Sequence, residues 1–144
     1  MDSLHEIAVG APAAKVFQAW TTAEGLRAWW TADVTVPRAS GDLYVLRFDK
    51  GSVAFHFRVE EEVPDERLLW RGVEGSGMPA EWVGTKLDVR LSRASDGRTR
   101  MQFAHRDWRS AEGFYCVCNT TWGELVYRLR DWCEGRPRGA LFTG

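Results

Sequence analysis

Six apolar residues near the end of the chain, Tyr115, Cys118, Trp122, Leu125, Leu129 and Trp132, step by three and four. That spacing predicts one long amphipathic helix, about Ala111 to Cys133, with a single apolar stripe. Glu124 and Arg128 pair at i,i+4 on its other side, as do Arg130 and Glu134. Gly135 is placed to end it and Pro137 to keep it ended, leaving an extended or mobile tail to Gly144. A helix with one apolar stripe must lie on something.

The preceding residues supply the surface. Val53, Phe55, Phe57 and Val59 alternate with Ala54, His56, Arg58 and Glu60, and Val83 to Leu91 repeats the same two-residue period. Met101, Phe103 and His105 share a face opposite Arg100, Gln102 and Ala104. Asp33 to Val36, Leu43 to Phe48 and Leu68 to Val73 are shorter strands. The turns at Asp49-Lys50-Gly51, Pro64-Asp65 and Ser95-Asp96-Gly97 are of hairpin length, which favours an antiparallel sheet. Gly75 to Pro79 reads as a flexible loop.

Before these strands, Ser3 to Val9 reads as a strand and Pro12 as the first turn of a helix faced by Val16, Phe17 and Trp20. Thr22 then caps a second short helix, with Glu24 in its first turn and Leu26, Trp29 and Trp30 on its apolar face. The expected architecture is α+β: a curved antiparallel sheet of six or seven strands wrapped around the C-terminal helix. The two short helices follow the first strand and sit at the open end, where pockets tend to form. Residues 1–144 form one domain on this reading.

Composition narrows the function. A formal net charge of −1 over 144 residues gives no basic excess, so no nucleic-acid partner is expected. The three cysteines have no framework spacing, no signal peptide is visible, and no run could span a bilayer, which together point to a reducing, cytoplasmic setting. Eight tryptophans are many for this length; most serve a bulky core, and some can line a pocket.

The run Ile7-Ala8-Val9-Gly10-Ala11-Pro12-Ala13-Ala14-Lys15-Val16-Phe17-Gln18-Ala19-Trp20 resembles the opening strand and helix of the START-like (SRPBCC) superfamily. Glu24-Gly25-Leu26-Arg27-Ala28-Trp29-Trp30 resembles its "L-x-x-W-[WF]" segment. Asn119-Thr120-Thr121-Trp122 with Leu125, Leu129 and Gly135-Arg136-Pro137 resembles its C-terminal helix. Within the superfamily the chain is similar to the homologues of the activator of heat-shock-protein ATPase. Ser40-Gly41-Asp42-Leu43-Tyr44 matches the usual "G-G-x-[FY]" strand only in part. The resemblance implies the helix-grip fold and an enclosed cavity. It implies no particular reaction, since superfamily members include lipid and hormone carriers, cyclases and co-chaperones.

The residues expected to line that cavity are Trp30, Phe55, Phe57, Trp70, Phe103, His105 and Trp122, with core packing the simpler role for most of them. His105 continues the apolar face of its strand and Asp107 lies two residues further, so the pair could do acid–base chemistry. No nucleophile accompanies them. The expectation is that His105 orients a ligand or satisfies a neighbour. Arg106, Trp108 and Arg109 could frame a pocket mouth, and Glu60-Glu61-Glu62 reads as a solvated strand end. Cys116 and Cys118 point about 200° apart on a helix, and Cys118 and Cys133 lie about 22 Å apart along it, so no metal or other cofactor is implied. Three functions compete. The leading one is binding of a small apolar or amphipathic molecule. The others are a cyclase- or hydrolase-like enzyme using His105 and Asp107, and a co-chaperone domain with a chaperone partner. A homodimer is compatible with each.

Overall fold

In the computed structural model, residues 2–108 and 114–144 are described. β1 (Ser3–Val9) leads to α1 (Ala13–Thr21) and α2 (Ala23–Trp29). β2 (Asp33–Thr35), β3 (Leu43–Phe48), β4 (Val53–Val63), β5 (Arg67–Val73), β6 (Lys86–Arg93) and β7 (Thr99–Arg106) follow, and then α3 (Phe114–Cys133). The strands form one seven-stranded sheet, ordered β1-β7-β6-β5-β4-β3-β2, with every neighbouring pair antiparallel. Closing β1 onto β7 brings the first strand beside the last and sets α1, α2 and α3 on one side of the sheet. No helix among the described residues is long and apolar enough to cross a membrane.

The alternation decides which side the helices cover. Met101, Phe103 and His105 of β7, Leu87, Val89 and Leu91 of β6, Leu68 and Trp70 of β5, and Tyr44 and Leu46 of β3 are all buried on the concave face. At the centre lies Trp20, fully buried, its ring 4.9 Å from that of Trp29, 5.4 Å from Phe103 and 6.0 Å from Trp70. Thr22 caps α2 by accepting from the Gly25 N–H at 2.9 Å, and the Trp29 indole N–H donates to the Ala19 carbonyl at 2.8 Å, so the two short helices form one unit.

Three local expectations are corrected. Val83 and Gly84 do not begin a strand. A single 3-10 turn, Ala80–Trp82, precedes them; Thr85 N–H closes on Trp82 O at 3.1 Å and β6 begins at Lys86. Pro12 caps α1 instead of opening its first turn.

A bulge between Val59 and Glu61 shifts the register of β4 by one residue, which pairs Glu62 with Leu68 and so turns it to the concave face. There it accepts from the Tyr44 hydroxyl at 2.9 Å and the Trp70 indole N–H at 3.1 Å while staying exposed; Glu60 and Glu61 lie on the outer face, paired with Arg71, Lys86 and Arg67, so the three glutamates form a solvated strand end as expected. Burial and the adjacent Glu62 carboxylate push the Tyr44 phenol well above its ordinary range, so it stays a donor.

The third correction is the tail. After Gly135 the chain turns back, with Asp131 buried at the turn and ion-paired to Arg138 at 2.9 Å. The tail then docks beside α2: Phe142 N–H donates to Trp30 O at 3.0 Å and Ala32 N–H to Phe142 O at 3.1 Å. The predicted first turn of the long helix, from Ala111, lies outside the described residues.

Candidate functional site

At the end of the concave face where β4 begins, side chains stop filling the space. A cavity of about 370 Å³ remains. Val53 and Phe55 of β4 form its floor, with Phe48 at the end of β3. Val117, Cys118, Thr121, Trp122 and Leu125 of α3 form its roof, and Trp30 and the docked Phe142 close one side. The far side is the loop between β5 and β6, through Gly77, Pro79 and Trp82.

Two glycines let that loop lie so close. A Cβ on Gly72 would stand 2.4 Å from the Trp82 carbonyl oxygen, and one on Gly75 2.2 Å from the Ala54 carbonyl oxygen, separations no side chain tolerates. Their absence allows backbone-on-backbone bonds, Gly84 N–H to Gly72 O at 2.8 Å and Ala54 N–H to Ser76 O at 2.7 Å.

Behind the wall sits His105, fully buried. An indole N–H can only donate, so the bond from Trp122 Nε1 to His105 Nδ1 at 3.0 Å fixes Nδ1 as an acceptor. Nε2 therefore carries the proton and donates to Thr85 Oγ1 at 2.8 Å, and Thr85 donates on to the Trp82 carbonyl at 2.6 Å. One neutral imidazole thus ties β7, α3 and the Trp82 turn together, and holds two walls of the cavity in place. Desolvation drives its pKa down to about 3, against a smaller opposing pull from Asp2. Both ring nitrogens are committed to protein partners. Asp107 is exposed, with left-handed backbone, and its N–H donates to Asp2 Oδ1 at 3.0 Å.

The structure brings three of the expected cavity residues, Trp30, Phe55 and Trp122, to the wall. It places Phe57, Trp70 and Phe103 in the packed interior and His105 one layer behind the wall. Arg106 points instead to the outer face, where it bonds Asp88 at 2.9 Å and Asp2 at 3.0 Å. Trp108 is buried against His105 and Tyr115, and Arg109 lies outside the described residues. Sequence reasoning missed Phe48, Val53, Trp82, Val117, Thr121 and Phe142. Val53 and Val117 had a signal, since Val53 shares the alternating face of Phe55 and Val117 falls one turn before Thr121 on the helix. Trp82 and Phe142 had none, because a turn and a tail carry no period.

The family model described as "Activator of Hsp90 ATPase homolog 1-like protein" matches residues 10–134. The chain belongs to this family. No curated protein sequence matches it. Among solved structures it is similar to the Aha1 dimer from Colwellia psychrerythraea, with 29% identity and a TM-score of 0.83 over 94% of this chain and 98% of that one. Protein MLL2253 from Mesorhizobium loti shares the fold at 16% identity and a TM-score of 0.79, over 94% and 98% of the two chains. CalU16 from Micromonospora echinospora shares it at 18% identity and a TM-score of 0.72, over 94% and 76%. Family and fold agree with the helix-grip architecture expected from the sequence.

Proposed function

We propose that this family member binds a small apolar or amphipathic molecule in the cavity between β4, α3, the Trp82 turn and the docked tail. The observation that supports it is the cavity wall itself. Its residues are aromatic or aliphatic apart from Gly77, Cys118 and Thr121, and its volume lies within the range of small-molecule sites, about 300–1,000 Å³. Packed interiors seldom leave such a volume empty. His105, buried neutral and fully bonded, supports a carrier over a catalyst, because a general base needs a ring nitrogen within reach of a substrate. The thiols of Cys118 and Cys133, which form no disulfide, suit a reducing cytoplasm.

The test is extraction of ligand from natively purified protein, read by mass spectrometry. An apolar compound should accompany the natural chain and be lost from Thr121→Phe, which fills the cavity from α3 without removing a core side chain. A compound retained equally by both proteins would place the binding elsewhere.

The family description supports a second reading, that the chain stimulates a chaperone ATPase. Assay of an Hsp90-type ATPase with the purified chain separates the two. The dimer reported for the Colwellia relative supports a homodimer here too.

A further inference from the structure

Resting on that reading of the cavity, we infer that its ligand is neutral: a compact, largely aromatic molecule with no charged group inside the protein. The polar atoms of the wall carry this inference. Trp82 Nε1 already donates to Cys118 Sγ at 3.3 Å, Trp122 Nε1 to His105 at 3.0 Å, and Thr121 Oγ1 to the Val117 carbonyl of its own helix at 2.9 Å. None of the wall residues carries a charge. A carboxylate, sulfonate or ammonium placed here would lose its water and gain no oppositely charged partner, which makes an ion expensive to bury.

The charge that acts on the wall is negative and does not favour an anion either. Glu81, next to Trp82, helps hold the Cys118 thiol above its ordinary range, after burial itself. Lys50 offers the opposite charge, from the exposed turn beyond Phe48, outside the wall. The rings of Trp30, Phe48, Phe55, Trp82, Trp122 and Phe142 face the space from several sides. Flat aromatic ligands match such walls through offset and edge-to-face contacts.

The experiment uses two dyes with one ring skeleton, neutral N-phenylnaphthylamine and its sulfonated counterpart, anilinonaphthalene sulfonate. Both are titrated into the full chain and followed by fluorescence. The neutral dye should bind and the sulfonate should bind at least ~30-fold more weakly, the penalty of an uncompensated buried charge. Thr121→Phe should abolish neutral-dye binding while leaving the far-UV spectrum unchanged. Val117→Lys sharpens the result. Val117 is 62% exposed at the rim, so the change is tolerated by the fold, and the new ammonium should recover about tenfold in sulfonate affinity. The neutral dye should gain no affinity from it. Sulfonate binding as tight as neutral binding, and lost in Thr121→Phe, would overturn the inference while leaving the cavity a binding site. Failure of both dyes to bind the folded chain would overturn the proposed function instead.

Discussion

The two ends of the interior are built from the same kind of side chain, and only one of them is full. At one end Trp20, Trp29, Trp70, Tyr44 and Phe103 pack ring on ring, with Tyr44 and Trp70 stacked at 4.0 Å and their polar atoms both satisfied by Glu62. At the other end Trp30, Phe55, Trp82 and Trp122 stand around a cavity. Aromatic content does not separate the two. What differs is the opposing surface. The full end is closed by α1 and α2, short helices locked to each other and pressed on the strands. The hollow end is closed by a loop, a tail and one helix, which bridge the space without entering it.

Truncating a ring in each half gives the largest expected contrast. Trp20→Ala removes a fully buried indole from the filled end and should cost about 3–5 kcal/mol in urea denaturation. Phe55→Ala, at a half-buried ring beside space already empty, should cost only about 1–2 kcal/mol. Equal losses would erase the distinction between the ends.

A smaller effect sits at the boundary between them. The His105 pKa falls from 6.5 in the unfolded chain to about 3 in the folded one, so between those values the unfolded chain binds the extra proton. Stability from this group is therefore complete above pH 6.5 and lost as pH falls toward 3, by about 1 kcal/mol per pH unit. His105→Gln should flatten the slope of stability against pH by that amount in the acid range. An unchanged slope would mean that the imidazole is not held neutral between Trp122 and Thr85.

The smallest expected effect concerns the tail. Phe142 is 38% exposed, and Phe142→Ala should lower stability by less than about 1 kcal/mol. It should nonetheless speed release of the neutral dye several-fold in stopped flow, since the ring is one side of the cavity. Unchanged release would show that the tail closes nothing.

The fold was legible because its periods are long. Five steps of three and four located α3, and the alternation through Phe55, Phe57 and Phe103 assigned the concave face without any contact information. The site was legible only where it borrowed those periods, at Phe55 and Trp122, and at Trp30 through the helix beside it. Three things hid the rest. The bulge reverses parity inside β4, so alternation carried past Val59 puts Glu62 on the wrong side. The Trp82 turn and the Phe142 tail have no repeat, and their placement depends on backbone bonds to other elements, β5 for the turn and the link after α2 for the tail. Cavity emptiness is a property of the gap between elements, and no single element encodes it.

The glycines beneath the Trp82 turn have a consequence for how such a protein can change over generations. At Gly72 and Gly75 the loop rests on main-chain atoms, so its position does not depend on the side chains it presents. Pro79 on that loop, and Val53, Val117 and Thr121 across from it, can then be exchanged one at a time without moving the frame that holds them. The shape of the cavity becomes separable from the architecture, and a lineage can recut it by point substitution while the fold stays recognisable.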